Sequence, residues 1–351
     1  MKNKNHHVTW IVPAALAAGI ILSGCGTRTQ TEDADQPIPV SVLILPKFEK
    51  GEMTGDDAGE AQFYYGAYLD GADTYEIPGG RPGSQLYVKD GVALYVTGMG
   101  KVSSALSTMA VLTDTRFDFS NAYVLSVGCA GSARDTTVMG DVFVISAAVD
   151  YDLGHHADSR EMENPDAGTW FHDDDYDDSA MVALDPDLTN RVYELVRDVK
   201  VETTEQTRRY MLNTFDQAEW AGRDPMVLRG TGVSADNYWK GTFGHENALR
   251  MVETYGCPDP FAAAEMEDVA VAHAVKRVGM LDRLIILRDS VNMDVFMRGM
   301  SPERLWNPEE SDDSTLNPEE YSDIFPVAME NNFRVGRVII DAILDGTLVS
   351  E

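Results

Sequence analysis

The stretch that most limits the fold is "GVALYVTGMGKVSSALSTMAVLTD", Gly91 to Asp114. Val92–Val96 is a short apolar, β-branched run, which suits a buried strand. Gly98 and Gly100 then break the chain, and from Ser103 the apolar residues recur at helical spacing. The same signature returns in "AYVLSVGCAGS" (Ala122–Ser132), a strand that ends in glycines, followed by the strand "GDVFVISAAVDYD" (Gly140–Asp152). "PVSVLILPKF" (Pro39–Phe48) and "RLIILRDS" (Arg283–Ser290) read as further buried strands. "PDLTNRVYELVRDV", "FGHENALRMVETYG" and "NNFRVGRVIIDAIL" read as amphipathic helices. Strands alternating with helices predict an α/β fold with a mixed, largely parallel central sheet flanked by helices. Ligands in such folds collect at the carboxyl ends of strands, where these glycine turns lie.

Charge removes one class of function. With 58 acidic and 28 basic residues the net charge is −30, so a phosphate backbone would be repelled and no nucleic-acid partner is expected. The N-terminus carries an export pattern: basic "MKNKNHH", an apolar run broken by Pro13 and Gly19, then "LSGC". That ending resembles a bacterial lipobox, which implies a signal peptide over 1–24 and lipidation at Cys25. A flexible acidic tether over 25–38 and a single domain over 39–351 would follow. No later stretch approaches the roughly 20 apolar residues of a spanning helix. The expectation is an exported protein held to a bacterial membrane by its lipid anchor alone. Cys129 and Cys257 are expected as free buried thiols.

"PFAAAEMEDVAVAHAVKRVG" (Pro260–Gly279) places three carboxylates, Glu265, Glu267 and Asp268, at the mouth of an apolar helix. On a helix, the face of Glu267 continues through Ala270, Val271, Ala274 and Val278. A carboxylate on a buried face is costly unless it is paired or hydrogen-bonded. Helix capping and a binding site both account for it, and this stretch alone leaves the two open.

Three segments in order sharpen the choice: "TGMGKVSSALSTM", "VLSVGCAGSARDTTVMGDVFVIS" and "FAAAEMEDVAVAHAV…LIILRDSVNMD". Their order resembles that in nucleoside phosphorylases and nucleosidases. "FEKGE", "SADNYWKG" and "NNFRVGRVII" are similar to one branch, the purine nucleoside permease family, over nearly the whole chain beyond the tether. The resemblance implies a nucleoside phosphorylase-like fold and a purine nucleoside ligand. It implies that Glu267 grips the ribose hydroxyls with Met266 against the sugar, and Glu265 either joins them or holds the helix start. Asn292 matches the position that contacts the departing purine; Asn cannot act as an acid, and Asp294 is the candidate substitute. Tyr238 and Trp239 are candidates for base stacking, Ser234 for a site hydroxyl, and His155 or His156 for the sugar's 5′ end. "HHADSRE" (His155–Glu161) offers no convincing metal-ligand spacing, and no metal is expected.

The nucleophile stays open between two chemistries. Phosphate as co-substrate would need amides and charges from Gly98, Gly100, Lys101, Ser103, Lys47, Arg160 and Arg288. The turn "LPKFEKGE" departs from the glycine and arginine that phosphorylases tend to carry. Glu49, or Glu52 after it, is then the candidate base for activating water. The expectation is a protein that contributes to nucleoside uptake by cleaving the N-glycosidic bond, by phosphorolysis or hydrolysis. The alternative is a non-catalytic binder that hands its ligand to a separate transporter. Relatives of this fold assemble as dimers, trimers or hexamers, so a homo-oligomer is among the expectations. No organic cofactor is expected.

Overall fold

Strand β1 (Val42–Leu45) is buried throughout, and its side chains divide between two cores. Leu43 and Leu45 enter one core and Val42 and Ile44 the other, as the two-residue period of a strand requires. The computed structural model describes residues 36–164, 168–214, 222–296, 298, 300–306 and 322–348. Pro37–Glu351 form one compact unit. The expected signal peptide, Cys25 and most of the tether lie outside the described residues.

The other strands of the sheet are β2 (Asp73–Glu76), β3 (Gln85–Lys89), β4 (Val92–Tyr95), β5 (Tyr123–Ser132) and β6 (Val142–Asp150). They continue with β7 (Met181–Ala183), β8 (Val227–Ser234), β9 (Phe261–Glu265) and β10 (Leu284–Met293). The order is β7-β6-β8-β9-β5-β1-β4-β3-β2, with β10 bridging β5 and β6. Strands β5, β10, β6, β8 and β9 therefore close into a ring. Parallel ladders join β4, β1, β5 and β10, and also β6, β8 and β9; the ring closures and the β2–β4 edge are antiparallel.

Helices α2 (Lys101–Leu112) and α5 (Asp268–Arg277) cover one face, burying Val111, Val271 and Val275. Helices α1 (Gln62–Tyr68), α3 (Pro186–Val196) and α6 (Ile324–Leu344) cover the other with Tyr64, Val192 and Ile339. Each such side chain contributes roughly 1.5–3 kcal/mol by leaving water. Helix α4 (Thr242–Thr254) packs Ala248 and Met251 beside Trp170 and Phe261 in a smaller cluster. Helix α3 starts where Pro186 follows Asp185, whose carboxylate accepts the Leu188 N–H. Among the described residues no helix is long and apolar enough to cross a membrane, and Cys129 and Cys257 are free. The fold class expected from the alternation of strands and helices is the one observed.

Candidate functional site

The carboxyl end of β9 runs straight into α5, and the three carboxylates of that junction turn inward. Glu265 accepts the backbone N–H groups of Glu267 (2.6 Å) and Asp268 (2.8 Å), and Ser234 Oγ both bonds to Glu265 and accepts the Val269 N–H (2.9 Å). Glu265 and Ser234 together thus satisfy the open N-terminus of α5. Asp268 instead faces Arg288, which donates to it through Nε and Nη2 at 2.8 Å each. Glu267 accepts the Gly100 N–H at 2.9 Å and Arg288 Nη2 at 3.1 Å. Burial and the neighbouring Asp268 push the Glu265 carboxyl up to about 7, against the pull of Arg288.

Gly98 and Gly100 make the approach to Glu267 possible. Their φ angles of 90° and 86° are in the region that favours glycine, and the turn lifts the Gly100 N–H toward the carboxylate.

A fourth carboxylate joins from the connection between β1 and α1. The backbone N–H groups of Lys47 (2.7 Å) and Cys129 (2.9 Å) donate to the two oxygens of Glu60. A Cβ on Gly128 would sit 2.7 Å from Glu60 Oε1 and 2.6 Å from Arg288 Nη1, so this glycine makes room for both side chains. Burial raises the Glu60 carboxyl above its ordinary range, with Arg288 and Lys47 opposing. Glu60, unlike Glu49 and Glu52, is not among the candidates that the sequence offers.

Beside this cluster lies a small cleft lined by Gly131, Asn237, Tyr238, Trp239, Ala264, Glu265, Met266, Asn292 and Asp294. The fold therefore gathers six of the expected residues around one space. Trp239 stacks on Tyr151 with ring centres 4.9 Å apart. A Cβ on Gly131 would reach 2.9 Å from Asn292 Oδ1, so the second glycine of "GCAG" seats Asn292. Asp294 is buried and bound to His245 Nδ1 (2.6 Å), whose Nε2 faces Asp135 (2.9 Å). Burial works to lower the His245 pKa, and its two carboxylate partners outweigh that and raise it.

The remaining expected residues lie elsewhere or are occupied. Glu49 accepts N–H groups from Lys50 (2.8 Å), Ala61 (2.9 Å), Gln62 (2.7 Å) and Gly59, which makes it the cap of α1. Glu52 is exposed, with its N–H on Asp56. Lys47 is buried, and its ammonium donates to Leu45 O (2.6 Å), Ser126 Oγ (2.8 Å) and Val127 O (3.1 Å). Lys101 bonds Asp150 (2.6 Å) and Asp152 (2.9 Å), which outweigh burial and raise its pKa. Ser103 Oγ donates to Thr97 O at 3.0 Å. Arg160 is exposed on its neighbour Asp158. His155 faces Asp173 at 3.3 Å and His156 faces Tyr151 O at 3.0 Å; neither lines the cleft.

A model of one protein family matches residues 39–347, and its description is purine nucleoside permease. The chain belongs to the purine nucleoside permease family. Within curated proteins it is 25% identical over 221 residues to a probable purine nucleoside permease of Schizosaccharomyces pombe. That match covers 56% of this chain and 63% of the relative, so the chain spans less than two thirds of the curated relative's length. Among solved structures it is similar to futalosine hydrolase of Helicobacter pylori, in a mutant form, with a TM-score of 0.53 and 16% identity. That likeness covers 86% of this chain and 99% of the other. It is also similar to the 5′-methylthioadenosine/S-adenosylhomocysteine nucleosidase of Neisseria meningitidis, with a TM-score of 0.51 and 16% identity over 86% of this chain and 99% of that one. At these identities the likeness shows the fold, which is that of the nucleoside phosphorylases and nucleosidases.

Proposed function

We propose that this member of the family binds purine nucleosides in the cleft and hydrolyses their N-glycosidic bond. The observation that carries the reading is the buried Glu60 carboxylate, set among cations that are already taken. Lys47 is held by two carbonyls and a hydroxyl, Arg288 by three carboxylates, and Lys101 by aspartates. Phosphate would enter a site already crowded with Glu60, Glu265, Glu267 and Asp268, where like charges repel it. Water carries no such penalty.

In this reading Glu267 accepts the ribose hydroxyls and Met266 packs on the sugar. Tyr238 and Trp239 flank the base, and Asn292 donates to the purine ring. Glu60 takes a proton from water as the water oxygen bonds to the anomeric carbon. The bond from that carbon to the purine nitrogen breaks, its electron pair stays on the base, and the base takes a proton from solvent. A carboxyl raised by burial is a better base than an exposed one at neutral pH. Export and a lipid anchor at Cys25 would place this chemistry outside the membrane, and a separate transporter would take up the products.

Incubation of the purified protein with inosine and with adenosine tests the reading. Free base and free ribose are expected; tight binding without base release would instead identify a binding component.

A further inference from the structure

We infer that Lys240 is a positioning residue for the departing base, acting through the amide of Asn292; this rests on the hydrolase reading above. Lys240 stands two residues beyond Tyr238, on the connection into α4. Its ammonium donates to Met293 O and lies 3.5 Å from Asn292 Oδ1. An ammonium has donors only, so the amide atom turned toward it is the oxygen. The Nδ2 edge is left for Tyr238 and for the cleft that Asn292 lines. A purine nitrogen arriving there meets an N–H donor, not a carbonyl. As the glycosidic bond breaks, negative charge grows on the base, and the cation behind the amide strengthens that donor.

The groups that face Lys240 set its titration. Asp294 is its charged neighbour, itself held by His245, and behind that stands Asp135; the Tyr238 phenol lies on the cleft side. Burial lowers the Lys240 pKa to about 8, with Asp294 opposing. The ammonium is therefore present at neutral pH and is lost as pH rises through that value.

The test compares the full-length wild type with Lys240→Met, Lys240→Gln and Lys240→Arg, using inosine and reading kcat and KM across pH 6–10. Wild-type kcat should fall above about pH 8, and Lys240→Met should lower kcat roughly tenfold to a hundredfold at neutral pH with KM little changed. The alkaline fall should vanish in Lys240→Met and Lys240→Gln, and Lys240→Arg should keep most of the activity. Melting temperatures identify any variant that fails to fold, and Lys240→Gln, which keeps the length and polarity, then carries the comparison. An alkaline limb that persists without the lysine, or a loss confined to KM, overturns the inference alone. A wild type that releases no base overturns the hydrolase reading and this inference together.

Discussion

The backbone N–H of Gly100 donates to Glu267 Oε1 at 2.9 Å, across 167 residues of sequence. The bond joins the glycine turn after β4 to the acidic segment before α5, and with Arg288 it holds the carboxylate at 3% exposure. A residue so placed is expected to be felt in ligand recognition. Glu267→Gln keeps the shape and removes the charge-assisted acceptor, so ribonucleoside affinity should fall about tenfold or more. The affinity of a 2′,3′-dideoxynucleoside should hardly change, since it lacks the hydroxyls. Equal losses on both ligands, measured by calorimetry, would show that Glu267 serves the fold and not the sugar.

Glu60 and Glu49 should separate cleanly. Glu60→Gln should lower kcat for base release by about a hundredfold or more with KM nearly unchanged. The acid limb of the wild-type pH profile should lie above the ordinary carboxylate range, because burial raises the Glu60 carboxyl and the base must be ionised to act. Glu49→Gln removes a helix cap, so it should cost about 1 kcal/mol of stability and leave kcat in place. The opposite pattern would move the base to Glu49.

Arg288 is the cation shared by Glu265, Glu267 and Asp268, with 1% of its surface exposed. Arg288→Met leaves those carboxylates buried without their cation, and it should destabilise the protein by about 3–5 kcal/mol in urea unfolding. A loss under 1 kcal/mol would mean that the carboxylates are held by their backbone N–H donors.

Asp289 accepts Asn332 Nδ2 at 2.8 Å through one oxygen, and its other oxygen is buried without a hydrogen-bond partner. Burial, and after it Glu60, raise its pKa well above the usual value. A carboxyl raised on folding contributes fully below the unfolded pKa and loses that contribution as pH rises. Asp289→Asn should therefore gain stability relative to the wild type from about pH 4 upward, by at most about 1.4 kcal/mol per pH unit. A difference that stays flat with pH, in paired denaturant titrations, would contradict a neutral Asp289.

Much of this architecture was legible in local pattern. Short apolar runs mark β4, β5 and β10, the first two punctuated by glycine, and the carboxylates of "AEMED" stand out because they precede an apolar helix face. The division of labour among those carboxylates was not legible, because it depends on where Arg288 reaches. Asp268 suits a helix dipole as well as an ion pair, and only the tertiary fold gives it to Arg288 while Glu265 takes the helix N-terminus. Glu49 and Glu60 flank the same excursion, and sequence cannot say which one the chain turns inward. Lys240 looks like any solvated lysine until α4 and β10 close around it.

Water and phosphate as the attacking group give different sugar products from a bound nucleoside. Purine release from inosine should be followed in phosphate-free buffer and again in millimolar inorganic phosphate, with the sugar product identified by mass. Equal rates are expected in the two buffers, with free ribose in both. Release that requires phosphate, with ribose 1-phosphate as the product, would contradict it.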